Sequence, residues 1–111
     1  RFPGSTRAWS LVDDNKQYLT HSVAYLGKGN IESHQRYYQS LLSNNGYKLR
    51  DTSKTSEGIS LIFYKPSQEL TVFISENLKN NPKQDYLPVV DIVQLSTSKH
   101  VETSSIQRFV P

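Results

Sequence analysis

The stretch GISLIFYKPSQELTVFISEN, residues 58–77, decides the fold of this chain. Apolar residues alternate with others on both sides of Pro66-Ser67, and proline presets φ for the first central position of a turn. A period of two is typical of strands, so the stretch predicts an antiparallel hairpin. One face of this hairpin is predicted to meet the core and carries Ile59, Leu61, Phe63, Leu70, Val72 and Ile74.

The other face of the predicted hairpin is also apolar. It carries Ile62, Tyr64 and Phe73, where a solvated sheet face would carry mainly polar residues. Three interpretations stay open: the segment TRAWSLV at 6–12 or the C-terminal tail covers this face, Tyr64 and Phe73 form a half-exposed aromatic pair, or another protein docks there.

One helix is predicted ahead of the hairpin. Residues 18–26 alternate as a strand does, and GKGN then interrupts the chain. From Ile31 the apolar residues recur at steps of three and four, which predicts an amphipathic helix over about residues 31–45. Asn30 is placed to cap its start and Gly46 to close its end.

Further strands are predicted at 47–52 and at 87–96. The chain therefore predicts a single α+β domain over residues 1–111, with loose ends at about 1–6 and 100–111. We expect an antiparallel sheet of four to five strands with one main amphipathic helix on one face, of the ferredoxin-like or split β-α-β type.

The composition bears on chemistry and on compartment. The chain has no Cys, which excludes disulfide scaffolds, thiol catalysis and thiolate metal sites. It is rich in Ser, Thr, Asn, Gln and Tyr, has no N-x-[ST] sequon and no membrane-spanning apolar run, and begins at Arg1 without a Met. These features favour a processed or excised bacterial protein in an extracytoplasmic setting, periplasmic or secreted, with membrane contact only through segments outside this chain.

No catalytic motif is present. The three histidines, His21, His34 and His100, have no catalytic or metal-ligand spacing, so we expect no enzyme and no cofactor. His34 falls on the predicted buried side of the helix and is expected to be a hydrogen-bonded histidine at the core edge. Asp91 is expected to guard an edge strand against pairing in preference to serving as a buried partner for Arg or Tyr.

Charge gives two further indications. The turn Lys28-Gly29-Asn30 before the helix is a candidate anion site, because a helix N-terminus offers free N–H donors. The net charge of +3 comes from basic residues scattered along the chain. This distribution is typical of a solvated surface and argues against a nucleic-acid partner.

We therefore expect a non-enzymatic extracytoplasmic domain that binds a protein partner or a second copy of itself within a membrane-anchored or secreted assembly. Two alternatives stay open: a periplasmic domain of a membrane-bound regulator that senses a small amphipathic ligand, and a nucleic-acid-binding or RNase-like domain. The residues expected to make the protein contact are Ile62, Tyr64 and Phe73, with Tyr37 as a flanking candidate.

Overall fold

The computed structural model describes residues 1–77 and 87–99. Its elements in chain order are β1 Thr6–Asp14, β2 Tyr18–Gly27, α1 Ile31–Asn44, β3 Lys48–Lys54, β4 Gly58–Lys65, β5 Gln68–Glu76 and β6 Val89–Ser98. The predicted loose end at about 100–111 lies outside the described residues.

The strands form one antiparallel sheet in the order β1-β2-β6-β5-β4-β3. The predicted α+β class, with one helix and an antiparallel sheet, is confirmed. The predicted count of four to five strands is wrong, since the described residues form six. The segment TRAWSLV accounts for the extra strand, because it pairs with β2 as β1 and extends the sheet.

The connection through α1 differs from the ferredoxin-like type. Four antiparallel pairings separate β2 from β3, so the two strands run in the same direction with β6, β5 and β4 between them. A ferredoxin-like chain runs β-α-β-β-α-β, whereas the described elements run β-β-α-β-β-β-β. The difference arises because β3 to β6 form a continuous meander whose last strand returns to pair with β2.

Local signals set both ends of α1. Asn30 Oδ1 accepts a hydrogen bond from the Ser33 backbone N–H at 2.8 Å, and Ser33 Oγ accepts one from the Asn30 N–H at 3.1 Å. This reciprocal pair satisfies donors that the first helical turn leaves free. Gly46, at φ +87°, takes the left-handed conformation that follows the last turn. The predicted start and end of the helix are therefore confirmed.

The hairpin turn is also where the sequence predicts it. Lys65 pairs with Gln68, so Pro66 and Ser67 are the two central residues. Ser67 has a φ of 70°, the sign that the second central position of a type II turn requires. The turn fixes the register of β4 against β5, and the register decides which side chains share a face.

The core lies between α1 and the sheet. The helix packs against β3, β4 and β5, and Tyr38 and Leu42 are its buried contributions to the cluster. Burial of one large aliphatic or aromatic side chain stabilises the fold by about 1.5–3 kcal/mol. We call this side of the sheet the helix-covered face, and its buried residues on β4 and β5 are Ile59, Leu61, Phe63, Leu70, Val72 and Ile74.

The N-terminal residues, predicted to be a loose end, pack against the helix-covered side. The ring of Phe2 stacks on that of His34 with centroids 3.8 Å apart. The Tyr37 hydroxyl donates to the Arg1 carbonyl oxygen at 2.5 Å, and the Arg1 guanidinium carbon lies 5.9 Å from the Tyr25 ring centroid. These contacts hold the first residues over α1 and β2.

Candidate functional site

The side of the sheet opposite α1, here called the helix-free face, is the candidate binding surface. Ile62 and Tyr64 alternate along β4 with the buried residues Leu61 and Phe63, so they point to this face. Phe73 alternates in the same way along β5. All three predicted contact residues are half-buried, and the structure places them on one face.

The pairing register extends this apolar surface across the sheet. Trp9 pairs with Ala24, Ala24 with Ile92, and Ile92 with Phe73. Directly opposed residues of antiparallel strands share a face, so these four residues form a continuous line over β1, β2, β6 and β5, which we call the apolar row. At its outer end Trp9 is 47% exposed, whereas Ala24 is 2% exposed, so the row is open to a partner at Trp9 and at the half-buried Ile92 and Phe73. The helix of the described residues covers only the other face.

Tyr64 has a contact within its own chain. The Arg50 guanidinium carbon lies 4.9 Å from the Tyr64 ring centroid, a distance at which a cation is attracted to the face of an aromatic ring. Arg50 Nη1 also donates to Glu69 Oε2 at 3.0 Å. A partner that contacts Tyr64 therefore meets Arg50 as well.

Tyr37 lies away from this surface. It belongs to α1, which packs on the helix-covered face, and its ring meets that of Phe2 edge to face at 5.4 Å. The sequence prediction that Tyr37 flanks Ile62, Tyr64 and Phe73 is wrong, because the whole sheet lies between them.

The groups of the turn Lys28-Gly29-Asn30 are largely occupied by internal bonds. Asn30 caps the helix, and the Lys28 carbonyl oxygen accepts from His34. A hollow of about 150 Å³ beside Gly29 and Asn30 is also lined by Glu76, whose carboxylate repels an anion. The local geometry therefore gives no support to the anion site predicted there.

The strongest polar cluster of the described residues is buried between α1 and the sheet. His34 Nδ1 lies 2.6 Å from Asp91 Oδ2, and the Tyr38 hydroxyl donates to the same oxygen at 3.2 Å. His34 Nε2 donates to the Lys28 carbonyl oxygen at 2.5 Å. His34 and Asp91 are both 0% exposed.

The two acceptors around the His34 ring locate its hydrogens. The Lys28 carbonyl oxygen can only accept, so His34 Nε2 carries a hydrogen. A second hydrogen lies between His34 Nδ1 and Asp91 Oδ2 and is shared by these two atoms. Burial raises the pKa of Asp91, against the opposing effect of its bonds to His34 and Tyr38. Burial, followed by the nearby charge of Asp91, raises the pKa of Tyr38. The cluster joins the helix to β6 and offers no open side to a substrate.

The sequence prediction for Asp91 as a guard of an edge strand is wrong. β6 lies between β2 and β5 in the middle of the sheet, and Asp91 is the buried partner of a tyrosine and a histidine. The prediction that His34 is a hydrogen-bonded core histidine is confirmed. His21 is exposed on β2, and residues 1–77 and 87–99 contain no group of three or more His, Cys, Asp or Glu that could hold a metal ion.

A small amphipathic ligand was one alternative, but the space between α1 and the sheet is filled by the core cluster. The helix-free face has a hollow of about 450 Å³ near the turn between β1 and β2, and its lining is polar. It includes Tyr18, Thr20, Arg50, Glu69, Ser96 and Ser98. Ser22, Gln94 and Thr71 lie between this hollow and the apolar row.

Sequence reasoning missed the part of the surface formed by Trp9, Leu11 and Ile92. Alternation in TRAWSLV and in VVDIVQL contained the signal, since Trp9 and Leu11 are two residues apart and Ile92 lies between the buried Asp91 and the partly buried Val93. The missing information was which strands pair, because β6 pairs directly with β5 of the hairpin and β1 reaches the hairpin only through β2 and β6.

Comparisons with protein-family models, with curated proteins and with solved structures found no match to this chain. Within the part of the chain that the structure describes, no helix is both long enough and apolar enough to cross a membrane.

Proposed function

We propose that this chain is a non-enzymatic protein–protein interaction domain of a membrane-anchored or secreted assembly outside the cytoplasm. The helix-free face binds a partner protein whose own contact surface is apolar. The observation that carries this proposal is the apolar row, which continues from the hairpin to the edge of the sheet at Trp9.

The chemistry of this face supports a protein as the partner. Interfaces between proteins concentrate aromatic and aliphatic side chains at their centre and polar groups at their rim. Phe73 and Ile92 lie along the centre of the helix-free face. The next positions on one side carry Thr71, Ser22 and Gln94, and those on the other side carry Ser75, Val90 and Leu26. A partner that covers this centre removes apolar area from water while the rim keeps its polar groups hydrated.

The absence of an enzymatic role is supported by where the titratable groups lie. His34 is the histidine of the described residues that has close polar partners, and it is buried beneath the N-terminal residues. A general acid or base has to reach the proton that it transfers. The lack of cysteine and the hydrophilic composition support the extracytoplasmic location.

The test compares Phe73→Ser with a matched control, Leu49→Ser. Leu49 is an exposed leucine on β3, paired with Phe63, so it lies on the other side of the sheet from Phe73. Circular dichroism first establishes that both variants are folded. Analytical ultracentrifugation then measures self-association, and immobilised chains are used to capture proteins from an extract of the source cell envelope.

A protein retained by the unmodified chain and by Leu49→Ser, but not by Phe73→Ser, is then purified and titrated calorimetrically against all three chains. We expect binding to Phe73→Ser to be at least about tenfold weaker, the effect of removing a central aromatic side chain from an interface. Equal affinities for the three chains overturn the proposal. So does a chain that neither self-associates nor loses any captured protein on substitution of Phe73.

A further inference from the structure

The outer edge of β1 has the features of a pairing site. β1 lies at one end of the strand order of the described sheet, so its outer backbone groups face no strand of residues 1–77 and 87–99. Unpaired edge groups are a template for a strand from another chain. All nine residues of β1 are exposed, including Trp9 at 47%, Leu11 at 62% and Val12 at 55%.

The opposite edge of the sheet carries two features that oppose pairing. β3 is exposed too, but it carries Lys48, Arg50 and Lys54, and a register shift at Arg50 interrupts it near its middle. Positive side chains and bulges on an edge oppose pairing with another strand. The register shift of β1 lies near its start, between Arg7 and Trp9, and leaves residues 9–14 regular.

We propose that β1 pairs antiparallel with β1 of a second copy of this chain, about a two-fold axis close to Ser10. Two six-stranded sheets then become one continuous sheet. The inference goes beyond the proposed function, because the helix-free face can bind its partner whether or not the edge is paired.

Side chains and charges along β1 select this arrangement. A two-fold axis at Ser10 sets Trp9 of each copy opposite Leu11 of the other, and both residues lie on the helix-free face. The strand has Arg7 near its start and Asp13 and Asp14 at its end. Antiparallel pairing therefore brings the basic end of each strand beside the acidic end of the other, whereas parallel pairing places like charges together.

The pairing closes after two copies. A two-fold contact uses the same edge of both chains, so only the two β3 edges remain at the outside of the joined sheet. Those edges carry the lysine and arginine side chains of β3. The pairing also joins the apolar rows of the two copies through Trp9, which doubles the length of the surface offered to a partner.

The experiment is sedimentation equilibrium of the full chain over a range of concentrations, with charge-exchange variants of β1. We expect the unmodified chain to dimerise reversibly. Arg7 and Asp14 both lie on the helix-covered face. Arg7→Asp and Asp14→Arg each place like charges at both ends of the paired strands, and each is expected to weaken dimerisation at least about tenfold. Asp14 also contacts Lys99 of its own chain, so circular dichroism first establishes that Asp14→Arg is folded. The double variant R7D/D14R restores opposite charges and is expected to dimerise as the unmodified chain does.

Leu11→Lys and its control Leu49→Lys place the same charge on the two edges. Only Leu11→Lys is expected to weaken the dimer, and circular dichroism establishes that both chains are folded. Amide hydrogen exchange adds a second readout, since the β1 amides that point away from β2 should gain protection as the concentration rises. A chain that stays monomeric up to about 1 mM, a double exchange without rescue, or β1 protection independent of concentration overturns the proposal.

Discussion

The two faces of the sheet are built from the same strands and differ in what covers them. On β4, Leu61 and Phe63 are 0% exposed beneath α1, whereas their neighbours Ile62 and Tyr64 are half-buried. On β5 the buried Val72 precedes the half-buried Phe73. The apolar content of the two faces is similar at these positions, so the difference in burial comes from the single helix of the described residues.

This difference shows that apolar patterning alone does not locate the core. Both faces of the hairpin carry aliphatic and aromatic residues, but only the helix-covered face has a second layer packed on it. The helix-covered face also contains the buried cluster of His34, Tyr38 and Asp91. We therefore expect substitutions on this face to change stability and substitutions on the helix-free face to change binding.

The largest expected effect is that of His34→Leu. This change leaves the Asp91 carboxyl group buried with only the Tyr38 hydroxyl as a partner. Removal of one member of a buried polar pair costs about 3–5 kcal/mol of the free energy of unfolding. Urea unfolding followed by circular dichroism measures the loss.

The double variant H34L/D91L is the control for this prediction. It removes the buried carboxyl group together with its partner, so we expect it to be more stable than His34→Leu alone. If the double variant is instead less stable than either single variant, the cost comes from lost packing against Phe2 and not from an unpaired polar group.

The second-largest expected effect is a difference in lost stability between alanine substitutions at two adjacent residues, Leu61 and Ile62. Leu61→Ala removes a fully buried side chain and is expected to cost about 2–5 kcal/mol. Ile62→Ala removes a half-buried side chain that α1 does not cover, and we expect a cost of about 1 kcal/mol or less. Urea unfolding of the two variants measures the difference. Equal costs would mean that the helix-free face is as tightly packed as the core.

The sequence predicted those features that neighbouring residues determine. The cap at Asn30, the left-handed residue at Gly46 and the turn at Pro66-Ser67 each depend on a few adjacent positions, and all three are confirmed. The alternation along β4 and β5 likewise predicted which side chains share a face, because a strand has a period of two.

The sequence did not predict what depends on strand order. The Asp91 carboxyl group meets His34 and Tyr38 across 57 and 53 residues of sequence. That contact requires β6 to lie in the middle of the sheet, and an alternating segment has the same pattern in the middle as at an edge. The prediction for Tyr37 was wrong for a related reason. Helical periodicity does not show which residue a side chain at the side of the helix contacts, and Tyr37 contacts Phe2.

The smallest effect is that of Tyr38→Phe, and its size should depend on pH. At neutral pH the variant loses the hydroxyl bond to Asp91, which costs about 1 kcal/mol.

Burial raises the pKa of Tyr38 above its ordinary value of 10.0. A raised pKa in the folded state means that the contribution of Tyr38 is complete below about pH 10 and is lost as the pH rises further, since the unfolded chain ionises first. The stability of the unmodified chain should therefore fall more steeply than that of Tyr38→Phe between about pH 8 and about pH 11. Urea unfolding at both pH values measures the two slopes, and equal slopes would show that the Tyr38 hydroxyl is not buried as described. The control Tyr64→Phe removes the same atom from the helix-free face and is expected to cost less at neutral pH, because its ring lies beside Arg50 at a half-buried position.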